Sequence, residues 1–92
     1  MQSRAERLRG ALQSAFAPAE VIVEDDSHQH AGHAGARPEG ETHYSVAVIS
    51  PAFRGMSRLA RSRAAHAAVE AEFGSGLHAL SLRLLTPEEA RR

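Results

Sequence analysis

Residues 41–84 show the pattern of a strand, a helix and a second strand: ETHYSVAVISPAFRGMSRLARSRAAHAAVEAEFGSGLHALSLRL. Apolar and polar residues alternate over 41–49, which is typical of a strand that is buried on one face. A helix should follow, with Ser57 as its N-cap and its end near Phe73, before the strand pattern returns at 78–84. Because a helix connects the two strands, we expect them to be parallel, with a right-handed crossover.

The residues on either side of this segment predict a further strand and two more helices. Residues 3–16 have apolar side chains at helical spacing, so they should form an amphipathic helix. Residues 20–25, EVIVED, alternate as a short strand, and the Gly-rich stretch 26–40 is a long loop that closes a hairpin. Thr86 and Pro87 have the spacing of an N-cap and first residue of a short terminal helix.

These elements predict an α+β fold in a single domain that covers residues 1–92. The order is α-β-β-α-β, with a small three-stranded mixed sheet and the helices packed on one face. The expected core combines apolar side chains from both layers: Leu8, Leu12, Phe16, Val21, Val23, Tyr44, Val46, Val48, Leu59, Val69, Phe73, Leu80 and Leu82.

The composition excludes several classes of protein. The chain has 92 residues, of which 42% are hydrophobic, a share typical of a small globular domain and too high for a disordered one. No apolar run approaches the roughly 20 residues of a membrane helix, and the first residues lack the apolar region of a secretory signal. We therefore expect a cytoplasmic protein, in keeping with a composition of bacterial style. The chain contains no cysteine, so it forms no disulfide and offers no thiolate ligand.

The basic residues are all arginine, and four of them surround the start of the long helix. These are Arg54, Arg58, Arg61 and Arg63. Such a cluster can contact phosphates, and it can equally be a solvated helix face. The chain has 11 basic and 11 acidic residues, whereas nucleic-acid-binding domains usually have a basic surplus. The net charge therefore gives the nucleic-acid hypothesis no support beyond this local cluster.

The chain contains six histidines, and their imidazoles are its main chemically functional side chains. His28, His30 and His33 lie in the Gly-rich loop, and imidazole is the commonest metal ligand in proteins. A zinc site takes four ligands, or three and a water, so these residues would need a distant partner. His78, at the start of the last strand, is one candidate. The alternatives are that the loop imidazoles are solvated and that His78 hydrogen-bonds a loop carbonyl.

The other two histidines have simpler interpretations. His66 falls on the apolar stripe of the long helix and should be partly buried, with one hydrogen bond. His43 falls on the polar face of its strand and should be solvated. No convincing combination of Ser, His and carboxylate is present, and so small a sheet leaves little room for a water-excluding pocket. We therefore expect a binding protein and no enzyme.

Three short motifs carry a specific resemblance. They are GETH at 40–43, SPAF at 50–53 and LHAL at 77–80, and their order and spacing closely resemble those of the BolA-like proteins. The resemblance extends over about residues 7–89 and includes the loop sequence DDSHQHAGHAGA. It implies a fold similar to the class II KH arrangement, which agrees with the element order above, and it implies two functions.

The first implied function is partnership with a monothiol glutaredoxin, together with glutathione. The two proteins would share a bridged [2Fe-2S] cluster in iron–sulfur trafficking or in iron and redox regulation. The family position at the start of the third strand makes His78 a ligand. The second ligand comes from the loop, where His30 fits best by its local sequence and where His28 and His33 are alternatives. Two imidazoles can replace two thiolates on one iron, so this chain would co-ligate a cluster but hold none alone.

The second implied function is DNA binding and transcriptional regulation, which in bacteria is tied to cell shape and stress. The region 55–63 resembles a helix-turn-helix element. Many members have R-H-R where this chain has Arg61-Ser62-Arg63, and Ser62 removes one potential donor from that face. The near-zero net charge and the concentration of histidines both favour the glutaredoxin partnership over DNA binding.

Overall fold

The computed structural model describes residues 2–26 and 43–91. Its helices are α1 (Arg4–Ala15), α2 (Arg58–Ala68), α3 (Glu70–Gly74) and α4 (Pro87–Ala90). Its strands are β1 (Glu20–Asp25), β2 (His43–Ile49) and β3 (Ala79–Leu85), and a 3-10 turn at Pro51–Phe53 leads from β2 towards α2.

The three strands form one sheet in the order β1-β2-β3. β1 is antiparallel to β2, with Val21 opposite Val48, and β2 is parallel to β3, with Val46 opposite Leu82. Every second residue of β2 is buried, as the alternation predicted, and these residues face the helices. The α+β class, the mixed sheet and the α-β-β-α-β order are therefore confirmed.

The SPAF motif forms a tight corner between β2 and α2. The hydroxyl of Ser50 accepts from the backbone N–H of Ala52 at 3.0 Å and donates to the carbonyl of Phe16 at 2.6 Å. The corner buries Phe53 completely, with its ring centroid 4.7 Å from that of Phe16. The motif thus ties the end of α1 to the corner through one buried hydroxyl and one aromatic pair.

The expected core is wrong at two positions, Leu59 near the start of the long helix and Phe73 beyond a break in it. The buried residues of α2 are Arg61 and Ala65, so Leu59 falls on another face of the helix. Leu59 is 59% exposed and Phe73 is 36% exposed. The chain leaves the helix at Val69, so α3 does not continue the helical phase of α2. Sequence reasoning also missed three buried residues that do line the core: Phe53, Ala65 and Leu77.

Candidate functional site

His78 combines a fixed backbone with an exposed imidazole. The preceding residue, Leu77, is buried, and its N–H donates to the carbonyl of Glu72 at 3.0 Å. The turn before it needs a glycine, because Gly76 has a φ of 121°, a region that L side chains rarely adopt. The side chain of His78 itself is exposed. Such an imidazole can reach a group that lies outside this chain.

His43 lies beside His78, which sequence reasoning did not predict. The two rings stack with their centroids 6.0 Å apart and their planes 22° apart. His43 opposes Ala79 in the parallel β2–β3 register, so the starts of both strands meet at one end of the sheet. It is half-buried, and the solvated position expected for it is corrected. The parallel pairing predicted from the crossover helix was the signal that could have placed the two rings together.

The connection between β1 and β2 begins and ends at the same end of the sheet. The N–H of Asp26 donates to the carbonyl of His43 at 2.8 Å, and its carboxylate accepts from the hydroxyl of Ser45. His28, His30 and His33, the loop ligand candidates, lie outside the described residues. Within 2–26 and 43–91, no group of three or more His, Cys, Asp or Glu side chains is placed to hold a metal ion.

His66 is exposed on α2, and its predicted partial burial is corrected. Its ring stacks on Phe73 with the centroids 5.8 Å apart. The α2 residues that face the sheet are instead Arg61 and Ala65, one helical turn apart, so His66 falls outside the buried stripe.

Arg61 is buried, in contrast to the solvated or phosphate-binding role expected for it. It is 8% exposed, and its Nε donates to the carbonyl of Met56 at 3.1 Å. Its Nη1 donates to the carbonyl of Leu84 at 3.0 Å and to the Glu89 carboxylate at 2.6 Å. The guanidinium also lies 5.7 Å from the ring centroid of Phe53. Arg61 therefore connects α2 with β3 and α4, and its guanidinium is not available to bind a phosphate.

The other three arginines do not form one basic surface with it. Arg54 is paired with Glu88 through two hydrogen bonds, of 2.9 Å and 2.6 Å, on the protein surface. Arg58 and Arg63 are exposed, and neither makes an ion pair in the part of the chain that the structure describes. Of the four arginines in the predicted cluster, only Arg58 and Arg63 therefore have no carboxylate partner among the described residues.

Glu89 connects the buried arginine to the cap of α4. Its carboxylate accepts from Arg61 and from the backbone N–H of Thr86 at 2.8 Å, and the Thr86 hydroxyl accepts from the Glu89 N–H. The hydrogen bond from Arg61, followed by that from Thr86, lowers the pKa of Glu89 from 4.5 to about 2. The ionised form is therefore the one that the folded state favours.

We expect Glu89→Gln to reduce the acid sensitivity of the fold. Because the pKa of Glu89 is lowered on folding, its stabilising contribution is fully present above about 4.5 and is lost as the pH falls towards about 2. Urea unfolding of the wild type and the variant should differ most near neutral pH, with the wild type more stable. The difference should shrink across that acidic window. A difference that is independent of pH would contradict the role of the charge.

The comparison with known families agrees with this fold and with the three motifs. The family model described as BolA-like protein matches residues 12–89. The chain belongs to the BolA-like family. A relative from Arabidopsis thaliana, "Protein BOLA1, chloroplastic", is 42% identical over 92 residues, which cover 98% of this chain and 58% of that protein. The solved structure of BolA1 from the same species matches 97% of each chain, with a TM-score of 0.84 and 42% identity.

A second relative contains the BolA-like region as a minor part of a longer protein. "SufE-like protein 1, chloroplastic/mitochondrial" from Arabidopsis thaliana is 44% identical over 91 residues, which cover 95% of this chain and 24% of that protein. The chain thus spans 58% of the first relative and 24% of the second. Both names carry organelle labels, so the cytoplasmic location expected from the sequence stays a prediction. Among the described residues, no helix is long and apolar enough to cross a bilayer.

Proposed function

We propose that this BolA-like chain binds a monothiol glutaredoxin and supplies imidazole ligands to a [2Fe-2S] cluster that the two proteins share. The observation that carries the proposal is the position of His78. Its imidazole is exposed on a fixed backbone, at the end of the sheet where the segment between Asp26 and His43 begins and ends. That segment contains the three loop histidines.

The donor set of the chain suits a shared cluster better than a resident one. Iron–sulfur clusters are held mainly by thiolates, and this chain has no cysteine. Two imidazoles can take the place of two thiolates on one iron, while glutaredoxin and glutathione would bring the thiolates for the other iron. When bound, a cluster with two imidazole ligands supplies electron transfer at a higher reduction potential than one held by thiolates alone.

The proposed ligands are His78 and one further histidine. His30 is the first choice from the loop, with His28 and His33 as alternatives. The geometry adds His43, whose ring centroid lies 6.0 Å from that of His78. The role assigned to this chain is to hold one iron and to orient the partner, which is the role of a binding module and not of an enzyme.

DNA binding has less support as the main function. Arg61 is buried against Phe53 and Glu89, and Arg54 is paired with Glu88. A protein that neutralises several phosphates needs several free cations on one surface, and the net charge of this chain is zero. We therefore do not propose it as a second function.

The proposal is tested by titrating a cluster-loaded monothiol glutaredoxin, with glutathione present, with the full chain. Visible absorption and circular dichroism should change and saturate at a fixed ratio of the two proteins. His66→Ala should behave like the wild type, because the His66 ring stacks on Phe73 and not on the His43–His78 pair. An unchanged spectrum, with far-UV circular dichroism showing a folded chain, would overturn the proposal.

A further inference from the structure

A groove runs between the start of α2 and β3, and we call it the α2–β3 groove. Its volume is about 340 Å³, within the range of ligand-binding pockets. Arg58, Arg61 and Ser62 line it from the helix, since they lie three and four residues apart on one helix face. Leu82, Arg83 and Leu84 line it from the strand. The proposed cluster function uses none of these residues.

The strand side of the groove is the outer edge of β3, which pairs with no other strand among the described residues. β3 is the last strand of the sheet, and the N–H of Ser50 donates to the carbonyl of Leu85 at 2.9 Å. Because successive residues of a strand direct their backbone groups to opposite sides, those of Leu84 and Leu82 point away from β2. The bond from Arg61 Nη1 to the carbonyl of Leu84 confirms this direction. Leu82 therefore directs both an N–H and a C=O towards the groove.

The groove carries a positive charge that its own residues do not neutralise. Arg61 is compensated by Glu89, at 2.6 Å. Arg58 and Arg83 are exposed, and neither makes an ion pair within residues 2–26 and 43–91. A ligand that lies along the edge of β3 would thus meet the outward-facing N–H and C=O of Leu82, which pair with no strand among the described residues, between two guanidinium groups.

We propose that the α2–β3 groove binds an extended acidic segment of a partner protein, which adds as a further strand to the edge of β3. Its main chain would pair with Leu82, and its carboxylates would reach Arg58 and Arg83. In strand addition the main-chain hydrogen bonds supply affinity, and alternate side chains supply specificity. This proposal does not depend on the proposed cluster function, so an experiment can exclude one of the two without excluding the other.

Charge and chemistry favour an acidic protein segment over a second copy of the chain and over a nucleic acid. A second copy of the chain would bring its own Arg58 and Arg83 to the same edge, and like charges that face each other across an interface are costly. A single-stranded nucleic acid is disfavoured because the described residues that line the groove include no aromatic side chain for base stacking.

The test uses the full chain and a fluorescent peptide in which pairs of adjacent glutamates alternate with pairs of valines. Carboxylates are needed on both faces of the added strand, because Arg83 lies on the face of β3 opposite the one that α2 and Arg58 cover. Binding is followed by anisotropy, and the exchange of the Leu82 amide hydrogen is followed by NMR. We expect the peptide to bind and to slow that exchange, and Arg58→Glu or Arg83→Glu to weaken binding by roughly tenfold each. Arg9→Glu, an equal charge reversal at an exposed position of α1, should leave it unchanged. Both groove variants alter exposed side chains and should keep the wild-type far-UV spectrum.

Several results would overturn this proposal. One is absence of binding up to millimolar peptide, and another is equal binding by the groove variants and Arg9→Glu. A peptide whose alternate amides are N-methylated cannot form the strand, so full retention of its binding would exclude strand addition. Displacement of the peptide by single-stranded DNA at lower concentrations than by unlabelled peptide would assign the groove to nucleic acid. Self-association that protects Leu82 without peptide would assign it to a second copy.

Discussion

Replacing His78 with alanine should abolish the cluster spectrum of the glutaredoxin complex and leave the fold intact. The imidazole is exposed, and the turn that carries it is held by the backbone bond from Leu77 to Glu72 and not by the His78 side chain. We therefore expect the free energy of unfolding to change by no more than about 0.5 kcal/mol. Anaerobic reconstitution of the complex, followed by visible circular dichroism, measures the cluster.

Two further variants make this result specific. His66→Ala removes an exposed imidazole from α2 and should leave the cluster spectrum unchanged. His78→Cys keeps a metal-ligating side chain at the same place, so a cluster should form again with an altered spectrum and a lower reduction potential. If His78→Ala gave the wild-type spectrum, the assignment of His78 as a ligand would be wrong.

Replacing Arg61 with alanine should cost about 2–4 kcal/mol of unfolding free energy. The variant loses the bonds to two backbone carbonyls and to Glu89 together with the contact with Phe53. The expected loss of unfolding free energy lies in the lower part of the range for a broken buried ion pair. The reason is that the Glu89 side chain is 35% exposed, so water can solvate its carboxylate. Equilibrium unfolding in urea measures the loss.

Arg63→Ala is the matched control for Arg61. It removes a guanidinium from the same helix, but from an exposed position without an ion pair among the described residues, so stability should change by less than about 0.5 kcal/mol. Equal stability of the two variants would contradict the structural role of Arg61. A large loss from Arg61→Ala alone also means that weaker DNA binding by this variant could not be attributed to a phosphate contact.

Local sequence rules predicted the framework of the fold. The alternation of β2, the Ser57 cap of α2 and the Thr86–Pro87 start of α4 depend on neighbouring residues, and all three are confirmed. The parallel β2–β3 pair followed from the crossover helix, which also placed His78 at the start of the last strand. These features require no knowledge of which distant residues meet.

The errors came from contacts between residues far apart in the chain. The contacts that bury Arg61 include Leu84 of β3 and Glu89 of α4, and a helical pattern in α2 does not reveal these distant partners. The break at Val69 shifted the helical phase and left Phe73 exposed. The stacking of His43 on His78 depends on the register of two strands that are 35 residues apart, from position 43 to position 78. The amphipathic pattern of each element alone could not show these pairs.

The central claim, that histidines of this chain ligate the shared cluster, is tested most directly by electron paramagnetic resonance. The chain is labelled with ¹⁵N-histidine, the glutaredoxin is left unlabelled, and hyperfine spectra of the reduced cluster in the complex are recorded. We predict ¹⁵N couplings of the size expected for directly bound imidazole nitrogen, and their reduction or loss with His78→Ala. A reduced cluster in the verified complex with no ¹⁵N coupling would contradict the account.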